Sequence, residues 1–210
     1  FFFMNRSVTT IVGGNVTICI SGDGNLFSFG YSKYGALGHD EEFVSSPRMI
    51  PTLNKIKSIS IGEQHRISGH YSGGEHVACL DYNGNLYTFG NNHHGQLGIG
   101  APEEVLAHTH VPQKVNLPPC KQVCCGNSIT MCLSGDGFVY SFGINDDGEL
   151  GLGNNEENYN SPQLISSLKD VEFIECGPNH VFCKTLKNEI YSWGNNDNGQ
   201  LGLGNTYNQN

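Results

Sequence analysis

Ile190-Tyr191-Ser192-Trp193-Gly194-Asn195-Asn196-Asp197-Asn198-Gly199-Gln200-Leu201-Gly202-Leu203-Gly204 is the stretch that decides the fold. It opens with an aromatic-hydroxyl-aromatic-glycine tetrad. In an extended chain the period of two sends both rings to one face and the small hydroxyl to the other. The same tetrad stands upstream as Phe27-Ser28-Phe29-Gly30, Tyr87-Thr88-Phe89-Gly90 and Tyr140-Ser141-Phe142-Gly143, at glycine-to-glycine intervals of 60, 53 and 51 residues. Seven residues after each comes a Leu-Gly pair: Leu37-Gly38, Leu97-Gly98, Leu150-Gly151 and Leu201-Gly202. Three residues before each first aromatic sits a turn residue: Gly24, Gly84, Gly137 and, more loosely, Asn188. Fixed offsets inside a period near 50 are the mark of a propeller or solenoid.

Inside each unit the pattern reads strand, turn, strand. Residues 16–21 and 25–30 flank Gly22-Asp23-Gly24, and 129–134 and 138–143 flank Gly135-Asp136-Gly137, where glycine supplies the positive φ of a tight hairpin. A third strand is expected after each proline, as at 163–165 after Pro162, and a fourth just before the next glycine, at 56–61, 121–125 and 171–176. Four short antiparallel strands make a propeller blade. The expected fold is an all-β β-propeller of four-stranded antiparallel blades. The units run approximately 13–62, 63–126, 127–177 and 178–210, the last incomplete, within a single partial propeller over 1–210. Residues 8–12 are expected to be the last strand of a preceding blade. The face with Leu26, Leu86, Val139 or Ile190 carries the small hydroxyl, so a ring of one blade is expected to pack against the Ser/Thr and Gly of its neighbour.

Composition agrees. Apolar residues make up 37% and charged residues 15%, and glycine is high at 28, which suits short strands and tight turns better than helices. No run approaches the ~18 apolar residues of a membrane span, and Phe1-Phe2-Phe3-Met4 is too short for a secretory segment. A net charge of −9 with 11 Lys and Arg disfavours nucleic acid as a partner and favours a protein partner with a basic face. Cys19, Cys79, Cys132 and Cys183 recur at one strand position, and Cys125 and Cys176 at another, each just before a glycine. They read as small buried apolar residues in a reduced, intracellular setting, cytoplasmic or nuclear. His93, His94, His108 and His110 read as solvated loop histidines, and neither a metal nor a cofactor is expected.

The units resemble the regulator-of-chromosome-condensation 1 repeat, whose pattern runs Gly-x-x-His, a strand, Asp-Gly, a strand ending in Trp-Gly, then Asn-x-x-Gly-Gln-Leu-Gly. Gly177-Pro178-Asn179-His180 with Trp193-Gly194 and Gly199-Gln200-Leu201-Gly202 carries the match most fully, and the second unit follows through Glu75-His76, Asn83-Gly84 and Gly95-Gln96-Leu97-Gly98. The departures are Val16 and Ile129 in place of His, and Phe for Trp in three tetrads. The resemblance implies a ring of seven blades, of which about four are present, so an open or fragmentary ring is expected. It also implies that the Gly-x-x-His turns lie on one face, where members acting as exchange factors for Ran contact the GTPase. Carried over by position, the partner-binding candidates are Glu75, His76, Asn179 and His180, with Asn15, Asn127 and Ser128 at the matching places. The alternative role for these histidines is to hold blade geometry by hydrogen bonding across the turn.

One feature is particular to this chain. Pro47 to Gly62 keeps the spacing of the other units, yet Gly73-Gly74-Glu75-His76 follows 11 residues later. Residues 63–72, with Glu63, His65, Arg66, His70 and Tyr71, are therefore expected to protrude from the turn face. Loops on rigid scaffolds carry recognition, and Arg and Tyr are frequent interface anchors. The functional expectation is a protein-interaction propeller that is not an enzyme, with a small GTPase among its candidate partners. The alternatives are a guanine-nucleotide exchange factor for a Ran-like GTPase, or the repeat region of a larger protein such as a ubiquitin ligase.

Overall fold

A computed structural model describes residues 7–62, 65–67, 70–72, 75–100, 106–155 and 158–210, with backbone alone for 65–67 and 70–72. The first sheet is a meander of β1 (Val8–Gly13), β2 (Val16–Ser21), β3 (Leu26–Tyr31) and β4 (Phe43–Met49). The chain then crosses to β5 (Ile56–Gly62) and continues through the separate ribbon of β6 (His65–Ile67) and β7 (His70–Ser72). β8 (His76–Asp81), β9 (Leu86–Asn91) and β10 (His108–Lys114) complete the second sheet in the order β5-β8-β9-β10. β11 (Cys120–Cys125), β12 (Ile129–Ser134), β13 (Val139–Gly143) and β14 (Tyr159–Leu164) form the third. β15 (Val171–Cys176), β16 (His180–Thr185) and β17 (Ile190–Gly194) form the fourth, with a single bridge from Gly194 to Gln209 at its outer edge. These are antiparallel propeller blades, and the all-β expectation holds.

Three expectations are corrected. Residues 8–12 do not close a preceding blade: β1 pairs with β2, from Val8 opposite Ser21 to Gly13 opposite Thr17. Each strand before a repeat glycine opens the next sheet, because a short turn joins it to the strand that follows. The prolines do not precede the outer strands but lie within them: Pro47 in β4, Pro112 in β10 and Pro162 in β14. The register slips at each of these places, between Ser28 and Gly30, Thr109 and Gln113, and Ser141 and Gly143. An irregular edge strand is where a residue without an N–H can be accommodated. His108 and His110 likewise lie in β10, not in a loop.

The sheets stack through the tetrads. Phe29, Phe89, Phe142 and Trp193 hold one register position, opposite Thr17, Val77, Thr130 and Val181. Phe89 packs with Val16, Ile18, Ile20, Leu26 and Leu37 of the first sheet and its loop. Phe142 packs with Ala78, Leu80 and Leu86 of the second, and Trp193 with Met131, Leu133, Val139 and Leu150 of the third. The rings of Phe89, Phe142 and Trp193 therefore each seat on the small-hydroxyl face of the sheet before, as expected. Beneath Phe142 and Trp193 the residue that makes room is the glycine of the Leu-Gly pair. A Cβ on Gly98 would lie 2.5 Å from the Phe142 ring, and one on Gly151 would lie 2.8 Å from Trp193 Nε1.

The tetrad hydroxyl has a different task. Ser28, Thr88, Ser141 and Ser192 each donate to the carbonyl nine residues ahead, Leu37 (2.5 Å), Leu97 (2.7 Å), Leu150 (2.8 Å) and Leu201 (3.0 Å). This bond pins the Leu-Gly loop against its own sheet. At the far end of the stack the pattern is left uncovered: Ile190, the counterpart of buried Leu26, Leu86 and Val139, is 72% exposed.

Candidate docking face

Inner strands β1, β5, β11 and β15 lie side by side and line an open groove of about 410 Å³. Its wall includes Val12, Ile59, Ile61, Cys125, Asn127 and Cys176. The turns that join each inner strand to the next stand at one end of this groove. The carbonyl just before each second strand accepts a hydrogen bond from the residue after the tetrad. Asn15 takes Tyr31 N (3.0 Å), Glu75 takes Asn91 N (3.0 Å), Ser128 takes Ile144 N (3.0 Å) and Asn179 takes Asn195 N (2.8 Å). The turns and the Asn-rich loops after the tetrads thus share one face.

In the second sheet, Gly62 and His76 are direct cross-strand partners. Gly62 serves as the motif's glycine and His76 as its histidine, although 13 residues separate them in the chain. The insertion therefore opens the turn without disturbing sheet register. Its β6–β7 ribbon pairs with itself, His65 opposite Ser72, Arg66 opposite Tyr71 and Ile67 opposite His70. The backbone of His65, Arg66, His70 and Tyr71 is thus placed in a ribbon on the turn face, while their side chains and Glu63 lie outside the described residues.

The carried-over candidates differ sharply from one another. His76 is fully buried, with Nε2 2.9 Å from Thr130 Oγ1 on the neighbouring sheet. Thr130 Oγ1 itself donates to the Gln96 carbonyl (2.8 Å), which leaves the hydroxyl only its lone pairs for His76. His76 Nε2 therefore carries the proton, and the ring bonds between sheets. Glu75 is nearly buried at the turn. His180 is half-buried, meets the edge of Phe182 at 5.6 Å, and is held below its ordinary pKa by burial. Asn179 is half-buried beside it. In the third turn Asn127 and Ser128 are buried, and Asn127 donates its N–H to the Pro178 carbonyl at 2.6 Å. Asn127 Oδ1 has no hydrogen-bond partner among the described residues.

The Asn-rich loops are set by their own side chains. Asn92, Asn145 and Asn196 accept from Leu97 N, Leu150 N and Leu201 N, at 3.1, 3.1 and 3.0 Å. Gln96 and Gln200 donate to Asn91 Oδ1 (3.0 Å) and Asn195 Oδ1 (2.5 Å). The third unit places Glu149 and Ile144 in these two positions. Glu149 is buried, and burial pushes its carboxyl up to about 7, against the N–H donors of Glu149 and Asp147 and with the charges of Asp147 and Asp146 adding to the rise. The folded chain then keeps a proton that the unfolded chain releases near 4.5, so stability falls as pH climbs from about 4.5 to about 7 and stays low above. Glu149→Gln should add ~1–3 kcal/mol at pH 8 and nothing below about pH 4.5, as read by urea denaturation at the two pH values.

Sequence reasoning had no signal for the polar contacts made between sheets. Thr130 as the partner of His76 and the open acceptor of Asn127 depend on neighbours that the repeat spacing does not specify. His93 and His108 flank the Tyr34 ring at 5.5 and 6.1 Å, and His110 Nδ1 stands 3.9 Å from Asp40. Among the described residues no three His, Cys, Asp or Glu side chains converge on one metal position, and no helix is long and apolar enough to cross a membrane.

Comparison with known proteins follows the same architecture. The profile of the regulator of chromosome condensation (RCC1) repeat matches residues 23–68, 83–133 and 136–183, and a second profile of that repeat matches 67–96 and 171–200. The chain is similar to the ultraviolet-B receptor UVR8 of Arabidopsis thaliana, 32% identical over 199 residues that take in 94% of this chain and 43% of the receptor. It is also similar to the E3 ubiquitin-protein ligase HERC2 of Homo sapiens, 30% identical over 204 residues, 95% of this chain and 4% of the ligase. The chain thus spans under half of the one and a small part of the other. Yeast RCC1 (Prp20), solved bound to Kap60, superposes with a TM-score of 0.85 at 21% identity, over 99% of this chain and 48% of that one. Repeat matches across most of its length, on sheets stacked ring-to-glycine, establish that the chain belongs to the RCC1 repeat family.

Proposed function

We propose that this propeller segment docks a protein partner on its turn face, with the inserted segment of residues 63–72 as the recognition element, and performs no covalent chemistry of its own. The observation that carries the reading is that Gly62 and His76 pair as in an uninterrupted turn while, among the described residues, β6 and β7 pair as strands with each other alone. The ribbon is an addition that sheet pairing does not require. Polar side chains of the scaffold on this face, Asn92, Asn145, Asn196 and His76, are committed to holding loops and sheets together. The exposed loops and the net charge of −9 suit a partner with a basic surface. Yeast RCC1 (Prp20), whose fold this chain shares, has been solved with Kap60 bound.

The partner class best matched by family is a small GTPase, and the exchange reading is a finer form of the same proposal. Intact protein carrying this chain should retain a nucleotide-free Ran-type GTPase on a sensor surface. Deleting residues 66–72 should weaken that binding at least tenfold, which is about 1.4 kcal/mol, and leave the thermal midpoint within about 2 °C. Failure of the GTPase to bind would remove it as partner, and unchanged binding after the deletion would make the ribbon a passive insertion. Accelerated release of a fluorescent guanine nucleotide would mark an exchange factor, because exchange requires tighter binding to the empty GTPase than to the loaded one.

A further inference from the structure

Two thiols that the repeat does not align meet across a sheet boundary. Cys125 and Cys176 are the equivalent residues, each just before a glycine, so the counterpart of Cys124 in the next sheet is Glu175. Yet Cys124 Sγ on β11 lies 2.6 Å from Cys176 Sγ on β15, and both thiols are free. That is roughly half an ångström beyond a disulfide bond of about 2.05 Å. The two strands are also bridged by Gln122, which donates to the Ile174 carbonyl (2.6 Å) and accepts from Ile174 N (3.1 Å), and by Asn127 N on the Pro178 carbonyl (2.6 Å). Cross-strand bonds on both sides of the thiols fix their approach.

Access is one-sided. Cys124 is buried, whereas Cys176 is half-buried and lines the open groove between the inner strands. A small oxidant in the groove reaches Cys176 first. We propose that Cys124 and Cys176 form a peroxide-sensitive pair that closes into a disulfide between the third and fourth blades. The Cys176 thiolate attacks a hydrogen peroxide oxygen, the O–O bond breaks, and the departing hydroxide takes up a proton as water, leaving Cys176 as a sulfenic acid. The sulfur of Cys124 then attacks that sulfur, the S–O bond breaks, and the oxygen leaves as water with the proton from Cys124. Two thiols are oxidised and one peroxide is reduced to two waters. Burial raises both thiols above the ordinary cysteine value, so the reaction should quicken as pH rises.

The bond would tie inner strands 52 residues apart in sequence, one residue from the Gly177-Pro178-Asn179-His180 turn. Cys120 and Cys132, a second pair of neighbouring thiols, lie within the third sheet, and Cys132 is fully buried. The test treats the intact protein with hydrogen peroxide, alkylates the remaining thiols and maps linked peptides by fragmentation. The expected result is a Cys124–Cys176 link, reversed by a dithiol reductant, with the thermal midpoint raised by roughly 5–10 °C. Cys176→Ser should abolish both link and rise. If that variant does not fold, the linkage map of the unaltered protein decides alone. Both thiols remaining alkylatable, a sulfinic acid without a link, or a Cys124–Cys125 or Cys120–Cys132 link would overturn the pair.

Discussion

Phe142→Ala should destabilise the protein by about 3–5 kcal/mol, a large effect for one side chain. Phe142 is fully buried, and its ring is the body that fills the space between the second and third sheets, among Ala78, Leu80, Leu86, Val115 and Cys132. Removing it leaves a cavity that those residues cannot close, since their backbones are held in two separate hydrogen-bonded sheets. Gly98 on the far side adds nothing, because it has no side chain to move inward. Phe142→Leu keeps most of the volume and should lose only ~1–2 kcal/mol. Denaturant unfolding of the intact protein reads both. A loss below about 1 kcal/mol for the alanine variant would mean that the sheets are not held by this ring.

Gly143→Ala should cost about 2–4 kcal/mol, for a reason unrelated to burial. Gly143 has φ +115°, and a Cβ built there runs into the Ser128 carbonyl oxygen. That oxygen accepts the Ile144 N–H at 3.0 Å, so the substitution both strains the residue and forces apart the turn it closes. Two controls separate the contributions. Gly153 has φ +77° with no atom within 4 Å of an added Cβ, so Gly153→Ala should show the backbone strain alone, about 1 kcal/mol. Gly135 lacks a positive φ, and its Cβ would meet only the Pro119 carbonyl oxygen at 3.8 Å, so Gly135→Ala should lie within about 0.5 kcal/mol of the parent. Equal losses at all three positions would remove the collision with Ser128 as the cause.

The contrast between these two residues shows how far one sequence carries. Strand, hairpin and tetrad spacing were legible because each rests on neighbours a few residues away. A period of two places the rings on one face, and Gly24, Gly84 and Gly137 supply the positive φ that closes the hairpins. Even the loosest match was sound: Asn188, the one unit without glycine there, adopts φ 63°. The packing of ring against neighbour was readable in outline from the alternation of large and small residues.

What tertiary structure alone decided is everything that depends on which strand lies beside which. The repeat has no intrinsic beginning, so its spacing cannot say whether β1 ends one blade or opens the next; the short turn to β2 and the pairing of Val8 with Ser21 settle that. It cannot show that Gly62 and His76 remain partners across an insertion, or that His76 reaches Thr130 54 residues away. Nor can it bring Cys124 to Cys176, which occupy different places in the repeat and meet only because neighbouring inner strands run past each other out of step. Local periodicity is imposed by the geometry of a single extended chain and so is written in the residues themselves. Which particular residues meet between sheets is set by how finished sheets stack, and no single unit contains that information.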